Sequence, residues 1–422
     1  MMNQPHPDRA AILARRARVL APTYRLFYEQ PLQIVRAEDV WMYDEQGRAY
    51  LDAYNNVPVV GHCHPYVVDA LTRQARTLNT HTRYLAELPL QLAEELLATM
   101  PPELGSVVYT CTGSEANDLA VRVSKAVTGG IGFIVTDFSY HGVTDVLSGM
   151  SPEDGGPLGP GVYTVPSPAA PGGAAAFGEH VREVLERMRS DGVRVAALLT
   201  DTIFSSDGVF PDPKGFLADA VRHVQAAGGL FIADEVQPGF GRLGEAMWGF
   251  QRHGIVPDLI TMGKPMGNGH PIAAVVARPE VFARFAKRRH YFNTYGGNSV
   301  SCAAALAVLH VIQNENLLEN ARRTGEYLRR GLNALAGRCP ALGEVRGAGL
   351  FVGVELRVNP ASGLAGSAEA KRVVNEMCRR GVLVGSTGRH ADVLKIRSPL
   401  TFTTQHADLL LEALEQTLKE KA

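Results

Sequence analysis

Apolar and polar positions repeat with two different periods along most of this chain. From about residue 65, short apolar runs alternate with longer segments in which apolar residues recur at helical spacing. The short runs are typical of buried strands, and the longer segments are typical of amphipathic helices. Strands that are spaced by helices predict a mostly parallel sheet with helices on both faces, and therefore an α/β fold.

The periodicity places each of these elements. The predicted strands are Ser106–Cys111, Gly132–Thr136, Val195–Thr200, Leu230–Ala233, Leu259–Met262 and Ile272–Val276. The predicted helices are Tyr66–Thr77, Leu88–Thr99, Ala116–Val127, Ala176–Asp191, Phe216–Ala227, Pro279–Ala286 and Ser299–Gln313. The stretch Ser151–Gly173 is rich in proline and glycine, and it predicts a long surface loop.

The two ends of the chain follow other patterns. Residues 1–30 predict a helical arm, and residues 34–52 predict a small antiparallel meander. After Asn320 the pattern predicts a smaller α+β region with helices at Ala321–Ala336, Ala368–Arg380 and His406–Lys419 and strands at Leu350–Leu356, Val382–Val384 and Val393–Ile396. We therefore expect an N-terminal arm with part of a small domain (1–60), a large domain (61–318) and a C-terminal small domain (319–422).

Composition narrows the class of protein. The net charge of −1 gives no basic excess for nucleic acid or for an anionic membrane surface. Five cysteines without a Cys-x-x-Cys motif favour a reducing compartment, and we expect a cytoplasmic protein. No apolar run is long enough to span a membrane, and the charged N-terminus does not resemble a secretory signal. Its arginines fit a transit peptide, but Asp8 and the lack of serine argue against one.

An amine and a carboxylate follow two of the predicted strands. The run that begins at Leu259 stops at Gly263 and Lys264, and the run that begins at Leu230 stops at Asp234. A lysine amine can form an imine with an aldehyde, and a carboxylate can keep a pyridine nitrogen protonated so that the ring accepts electrons. The pair predicts pyridoxal phosphate chemistry. The structural alternatives are a solvated turn for Lys264 and an ion pair between Asp234 and Arg242.

A candidate phosphate site follows the strand Ser106–Cys111. Thr112 and Glu115 fit a capping box, so a helix begins there, and Gly113 allows an anion to approach its free N–H groups. An ordinary capped helix without a ligand is the alternative. Thr294, in a glycine-rich turn before another helix, is a second candidate phosphate ligand.

Four further residues could contact a flat ring. Tyr140 follows a strand end, where an aromatic side chain can stack on a heteroaromatic ring, and a packed tyrosine is the alternative. His141 lies beside it. Val236 and Gln237 follow Asp234 and could lie under the ring and at its hydroxyl group. The run Gly61–Pro65 carries two histidines and a cysteine, but adjacent residues on a turn do not easily reach one ion, so we expect no metal site.

In this order and spacing, these residues closely resemble the class III aminotransferases, a fold type I family that uses pyridoxal phosphate. The resemblance runs from Ile34 to the C-terminal helix, and its signature is Ala233–Arg242 with Met262–Pro265 and Gly269. It implies a large domain with a seven-stranded, mostly parallel sheet and a small α+β domain built from the N-terminal segment and the C-terminal part.

The resemblance also implies a role for each candidate residue. Lys264 is the Schiff-base lysine, Asp234 is the partner of the pyridinium nitrogen, and the remaining cofactor ligands are Gly113, Ser114, Tyr140, His141, Val236 and Gln237. The family donates the residue that matches Thr294 from the neighbouring subunit. This implies a homodimer, or a dimer of dimers, with sites at the interface.

Two positions differ from the usual family pattern, and three stretches resemble one group within the family. Asp201 begins a stretch where the family usually has Glu-Pro-x-Gln, which puts the family's switch between amine and carboxylate substrates in doubt, and Cys111 replaces a smaller or amide residue. The stretches Asn55–Val57, Gly61–Pro65 and Tyr291–Asn298 are similar to the alanine–glyoxylate-aminotransferase-like group. That group includes phospho-lyases that act on phosphoethanolamine or phosphohydroxylysine.

Three functions remain open from the sequence. The leading hypothesis is a ping-pong transfer of an amino group from an amine or amino acid to a 2-oxo acid such as pyruvate. The alternative is a phospho-lyase that eliminates phosphate from a phosphorylated amine, and the third is a catalytically silent cofactor-binding protein. Arg389 and Arg397 are the candidate ligands of a substrate carboxylate.

Overall fold

The computed structural model describes residues 8–359 and 364–420. The strands are β1 (Ile34–Glu38), β2 (Trp41–Asp44), β3 (Ala49–Asp52), β4 (Ser106–Thr110), β5 (Gly132–Thr136), β6 (Val162–Val165), β7 (Val195–Asp201), β8 (Leu230–Asp234), β9 (Leu259–Met262), β10 (Ala273–Ala277), β11 (Leu342–Ala348), β12 (Phe351–Asn359), β13 (Leu364–Ala365), β14 (Val382–Leu383), β15 (Gly385–Thr387) and β16 (Val393–Ile396). The helices are α1 (Arg9–Val19), α2 (Pro65–Thr77), α3 (Glu87–Leu97), α4 (Gly113–Thr128), α5 (Asp145–Ser148), α6 (Gly173–Ser190), α7 (Leu217–Ala226), α8 (Pro279–Ala286), α9 (Ser299–Asn314), α10 (Leu317–Ala336), α11 (Ser367–Arg379) and α12 (Thr404–Lys419).

The central sheet has seven strands in the order β4-β10-β9-β8-β7-β5-β6. Strand β10 runs antiparallel to both of its neighbours, and the other neighbouring pairs are parallel. Parallel neighbours need crossover connections, which the chain makes through its helices. The prediction of a mostly parallel seven-stranded sheet is confirmed.

Helices cover both faces of this sheet, and the side chains of a single strand separate the two cores. In β5, Phe133 and Val135 pack with apolar residues of α4 and α8. Ile134 belongs to the other core, which contains Val181 of α6 and Val224 of α7. All five residues of β5 are buried, as expected for a strand between two helical layers.

A four-stranded sheet in the order β1-β2-β3-β14 joins the two ends of the chain. The pairs β1–β2 and β2–β3 are antiparallel, as predicted, and β14 pairs with β3 in parallel. Helix α1 buries none of its residues and ends at Val19. The prediction of a helical arm to residue 30 is therefore wrong beyond this point, because Pro22 disfavours helical geometry in the residue before it. Residues 1–7 lie outside the described part of the chain.

The C-terminal region contains a five-stranded sheet, ordered β11-β12-β16-β15, with β13 paired to β12. The sequence did not predict β11, β13 or β15. Strand β15 is Gly-Ser-Thr and β11 carries glycine and charged residues, so neither has the apolar run that identifies a strand. The domain boundaries at residues 60 and 318 stay a prediction.

The stretch Ser151–Gly173 is not a single surface loop, and this prediction is wrong. It contains a short 3-10 helix, Pro152–Asp154, and strand β6, which pairs with β5 at the edge of the central sheet. The proline and glycine residues flank a four-residue strand, Val-Tyr-Thr-Val, that is too short to stand out in the pattern.

The topology brings five strand ends together. These are β4, β5, β7, β8 and β9, which together with the edge strand β6 run in one direction, so their carboxyl ends and the loops that follow lie along one edge of the sheet. Ligands of open α/β sheets bind at this edge. None of the described helices combines the length and the apolarity that a membrane crossing requires.

Candidate active site

A cavity of about 220 Å³ lies at the carboxyl edge of the central sheet. It is lined by Gly113, Ser114, Asn117, Tyr140, His141, Gly142, Asp201, Asp234, Val236, Gln237 and Lys264. Larger cavities of about 840 and 690 Å³ lie elsewhere on the protein. The small cavity is the candidate site because it alone joins the amine, the carboxylate and the helix start that the sequence singled out.

Lys264 stands two residues after β9, and its side chain is accessible within the cavity. Protein surrounds the amine, and this burial is the main cause that lowers its pKa; the positive charge of Arg397 lowers it further. Asp234 and Asp201 act in the opposite direction. A lysine with a lowered pKa has more of its amine in the neutral, nucleophilic form at neutral pH.

Asp234 is the last residue of β8 and is buried. Its Oδ2 accepts hydrogen bonds from Asn117 Nδ2 at 2.9 Å and from His141 Nδ1 at 2.8 Å, and its Oδ1 accepts one from the Val236 backbone N–H at 3.1 Å. The alternative of an ion pair with Arg242 is wrong, because the buried Arg242 guanidinium donates to the carbonyl groups of Leu350 and Ser398 instead.

Helix α4 begins as the capping box predicts. The Thr112 hydroxyl accepts from the Glu115 backbone N–H at 3.1 Å, and the Glu115 carboxylate accepts from the Cys111 N–H at 2.6 Å. A Cβ atom at Gly113 would lie 2.8 Å from a Val236 methyl group, so this close approach of helix and strand loop requires glycine. Gly113 and Ser114, the first residues of the helix, line the cavity, and the free N–H groups of a helix start suit an anion.

The loop after β5 forms another wall. Tyr140 is half-buried there, and burial, followed by the nearby carboxylates of Asp154 and Glu153, raises its pKa. His141 is buried, and its Nε2 has no hydrogen-bond partner among the described residues. Gly142 adopts a positive φ of 141°, and a Cβ atom on it would lie 2.6 Å from the Ser114 hydroxyl oxygen.

Gln237 is already engaged with other protein groups. Its Nε2 donates to the Ser205 hydroxyl at 2.7 Å, and its Oε1 accepts from Arg397 Nη1. Contact between Gln237 and a ring hydroxyl therefore stays a prediction that needs one of these bonds to be shared.

Asp201 ends β7 directly beside Asp234 in the sheet register. Its carboxylate accepts from the backbone N–H groups of Ile203 at 2.9 Å and Ser205 at 3.0 Å. Burial is the largest influence on its pKa and raises it, the hydrogen bonds lower it, and Asp234 raises it. Asp201 thus makes no ion pair with an arginine in the described chain, which agrees with the doubt that its short side chain raised.

The two candidate arginines have different surroundings. Arg389 is about half exposed and pairs with Asp137 at 2.6 Å, outside the cavity. Arg397 is buried, donates to Gln237 and lies over the rings of Tyr54 and Phe351. The structure therefore brings Arg397, rather than Arg389, towards the candidate site.

Sequence reasoning gave no role to Asn117, which lines the cavity, or to Lys395, which does not line it. Lys395 is buried in β16, where burial, Arg397 and the nearby Lys264 lower the pKa of its amine. Its Nζ donates to the Thr387 hydroxyl at 3.5 Å. The sequence could have indicated that Lys395 is buried, because this lysine lies inside the apolar run Val-Leu-Lys-Ile. Asn117 carried no signal beyond its position at the start of α4.

The remaining candidates lie away from the cavity. Thr294 is exposed and does not line it. His62 pairs with Asp52 at 2.7 Å and His64 with Glu315 at 3.0 Å. Within residues 8–359 and 364–420, no three histidine, cysteine or acidic side chains are grouped so that they could hold a metal ion.

One protein family and several known proteins are similar to this chain over most of its length. The aminotransferase class-III family matches residues 26–418. The chain is 39% identical over 414 residues to an alanine–glyoxylate aminotransferase 2-like protein of Drosophila melanogaster, covering 93% of this chain and 84% of the relative. It is 34% identical over 434 residues to ethanolamine-phosphate phospho-lyase homolog 1 of Caenorhabditis elegans, covering 96% and 93%.

A solved structure is similar over nearly the whole length. A phospholyase from Arthrobacter, in complex with phosphoethanolamine, superposes with a TM-score of 0.93 and 42% identity, covering 97% of this chain and 99% of that one. The matches agree with both branches of the group that the sequence motifs resemble.

Proposed function

The chain belongs to the class III aminotransferase family, and we propose that it transfers an amino group from an amine or amino acid to a 2-oxo acid such as pyruvate. Membership makes it an enzyme that depends on pyridoxal phosphate. The observation that carries the proposal is the single cavity lined by the Lys264 amine, the Asp234 carboxylate and the start of α4.

The residues around this cavity fit the cofactor. The N–H groups of Gly113 and Ser114 at the start of α4 suit a phosphate group. Asp234 has lone pairs left for a protonated ring nitrogen after accepting its three hydrogen bonds. Tyr140 and Val236 line the cavity as the two sides of a flat ring, and His141 supports Asp234.

The bound cofactor supplies an electron sink for the electrons of the bond that breaks at the substrate α-carbon. Asp234 favours this by holding the proton on the ring nitrogen. Lys264 has two tasks, and its lowered pKa suits both. It would hold the cofactor between turnovers, and once freed by the substrate amine it would act as the general base that takes a proton from the substrate α-carbon. Two half-reactions at one site give ping-pong kinetics.

Lys395 and Arg397 are the proposed ligands for the acidic group of the substrate. Both are buried, and Arg397 lowers the pKa of the Lys264 amine through its charge. Their hydrogen bonds go to the neutral side chains of Thr387 and Gln237, and no carboxylate forms an ion pair with either in the described chain. Burying two neighbouring basic groups without an ion-paired carboxylate is costly, and a bound anion would reduce that cost. Asp201 also lines the cavity, whereas Arg389 lies outside it and pairs with Asp137.

We place Thr294 in the site of a second subunit. It is exposed and lies outside its own cavity, next to a groove of about 690 Å³ with several apolar residues around it. Tyr84, Leu85 and Phe292 line this groove and are exposed. A homodimer that buries this face would bring Thr294 to the phosphate of the neighbouring site. The measurement is the sedimentation coefficient of the holoprotein, and a monomer that binds cofactor with full affinity would contradict this arrangement.

A phospho-lyase is the second candidate, and two observations favour it. The buried Lys395 and Arg397 supply the basic cluster that recognition of a second phosphate requires. The 42%-identical structural neighbour is named as a phospholyase and holds phosphoethanolamine. The first proton transfer by Lys264 is common to both reactions, so only the fate of the substrate distinguishes them.

The experiment compares two substrates on the same holoenzyme. One arm supplies L-alanine with a 2-oxo acid other than pyruvate and measures pyruvate, and the other supplies phosphoethanolamine without an oxo acid and measures inorganic phosphate. Pyruvate formation with parallel-line kinetics supports the aminotransferase. Phosphate release without an acceptor supports the phospho-lyase instead. The Lys264→Ala variant is the blank for both arms.

A further inference from the structure

The buried side-chain amide of Asn117 connects strand β9, which precedes Lys264, to the Asp234 carboxylate. Asn117 lies in the second turn of α4 and is 1% exposed. Its Nδ2 donates to Asp234 Oδ2 at 2.9 Å and to the His141 carbonyl at 2.8 Å. Its Oδ1 accepts from the Thr261 hydroxyl at 2.5 Å.

These three bonds allow only one orientation of the amide. The carboxylate of Asp234 and the carbonyl of His141 both accept, so they require the NH₂ group and exclude the oxygen. The Thr261 hydroxyl, itself fully buried in β9, donates to the oxygen that remains. Thr261 is the register partner of Asp234 and stands three residues before Lys264.

We propose that Asn117, oriented by Thr261, is a positioning residue that fixes the Asp234 carboxylate next to the ring nitrogen of the cofactor. Asn117 supplies one of the three hydrogen bonds that hold the Asp234 carboxylate in place. The inference rests on the proposed roles of Asp234 and Lys264.

A purely structural role for Asn117 would be to hold α4 against the sheet. Such a role predicts a lower melting temperature and nothing else. A positioning role also predicts a change in the titration of the bound cofactor. If Asp234 holds the ring proton less well, the ring withdraws fewer electrons from the Lys264 nitrogen joined to it, and the pH of the absorbance transition rises.

The test is a pH titration of the absorbance of the holoenzyme, together with the cofactor Kd from equilibrium dialysis. Asn117→Leu removes both donors, and Asn117→Asp places an acid against Asp234. In both variants we expect the transition to move up by about one pH unit or more and the Kd to rise roughly tenfold, the equivalent of one lost hydrogen bond to a charged group.

The pair Thr261→Val and Thr261→Ser keeps the test decisive if a variant of Asn117 does not fold. Valine removes the hydroxyl that orients the amide and should move the transition in the same direction by a smaller amount. Serine keeps the hydroxyl and should titrate as the wild type does. Ser124→Ala is the matched control, since Ser124 is a buried polar residue of α4 whose hydroxyl donates to the Ala120 carbonyl, away from the site.

Two results would overturn the inference in distinguishable ways. Titration curves and Kd values of the Asn117 and Thr261 variants that match the wild type would overturn the positioning role and leave the cofactor roles intact. A Lys264→Ala variant whose cofactor stays bound and titrates as in the wild-type holoenzyme would overturn the cofactor roles and, with them, this inference.

Discussion

The two sides of the active-site region differ in how their buried polar groups are satisfied. On the cofactor side, which we define as Asp234, His141, Asn117 and the start of α4, the carboxylate receives three hydrogen bonds from the protein itself. On the cation side, defined as Lys395, Arg397 and Arg242, the partners are hydroxyl, amide and carbonyl groups, without an ion pair in the described residues.

The difference indicates what each side is built to receive. The cofactor side is complete and preorganised, as expected where charge must be stabilised during reaction. Burial lowers the pKa of the cation-side groups, to about 9 for Arg242, because their charged forms have lost water and no carboxylate of the described residues pairs with them directly. The loss of hydration of these groups destabilises the folded protein, and a bound anionic substrate would offset this destabilisation.

The strongest test of the cofactor side is Lys264→Ala. Loss of the amine removes both the attachment of the cofactor and the general base, so turnover should fall by at least roughly 10²–10⁴-fold. Steady-state rates and the absorbance of the bound cofactor measure this. The protein should remain folded, as circular dichroism will check. Substantial turnover in the variant would contradict the assignment.

Asp234→Asn should have the next largest effect. The variant keeps the shape but loses the charge that holds the ring proton, and the barrier should rise by about 3 kcal/mol. This corresponds to a loss in kcat of roughly a hundredfold. Asp258→Asn is the matched control, because Asp258 is also buried beside the central sheet but bonds to Gln225 and Phe231. Equal losses in the two variants would break the distinction between the site and the rest of the sheet.

Lys395→Met tests the cation side. We expect KM for an acidic substrate to rise roughly tenfold to a hundredfold, the worth of one hydrogen bond to a charged group. An amine without an acidic group should be affected much less. The variant should also melt at a higher temperature, because an unpaired buried charge is removed. Lys371→Met, at an exposed ion pair, is the control. A lower melting temperature with unchanged KM would contradict the proposed anion site.

Removal of the cofactor tests whether the cofactor side contributes to the stability of the folded protein. Bound cofactor should stabilise the native protein by about 2.7 kcal/mol at a hundredfold excess over its Kd. Thermal unfolding of the apo- and holoprotein, with the holoprotein at two cofactor concentrations, measures this. An unchanged melting temperature would mean that the cavity does not hold the cofactor in the folded state.

The last prediction concerns the pH dependence of stability and the buried residue Asp207. Its Oδ2 accepts from the Thr136 hydroxyl at 3.1 Å, and the neighbouring Ser206 carbonyl accepts from Thr387 of the C-terminal sheet. Burial raises the pKa of Asp207 from 3.8 to about 7. A carboxyl group with a raised pKa binds a proton on folding, so its contribution to stability is full below about pH 4 and is lost as the pH rises to about 7.

Asp207→Asn cannot ionise. Relative to the wild type, its free energy of unfolding should therefore increase with pH by up to about 1.4 kcal/mol per pH unit between pH 4 and pH 7. Urea unfolding at several pH values measures the difference, and the exposed Asp219→Asn serves as the control. A difference that does not vary with pH would show that Asp207 is ionised throughout.

The sequence predictions were accurate for elements with a clear local pattern and missed elements that depend on their neighbours. Strands β5 and β9 and helix α8 have the predicted bounds, because each is an apolar run or an amphipathic turn pattern with clear ends. The capping box placed the start of α4 for the same local reason. The short strands β6 and β15 were missed because neighbouring strands, rather than their own residues, make them strands.

Local sequence therefore determined which elements form and which reactive groups stand at their ends, because periodicity, capping and turn chemistry act over a few residues. The tertiary structure decided which distant groups meet. Asn117 and Thr261 are 144 positions apart, and Gln237 and Arg397 are 160 apart. Their contacts depend on strand order and crossovers, and burial, which shifts the pKa of Lys264 and Lys395, is a property of the packed whole.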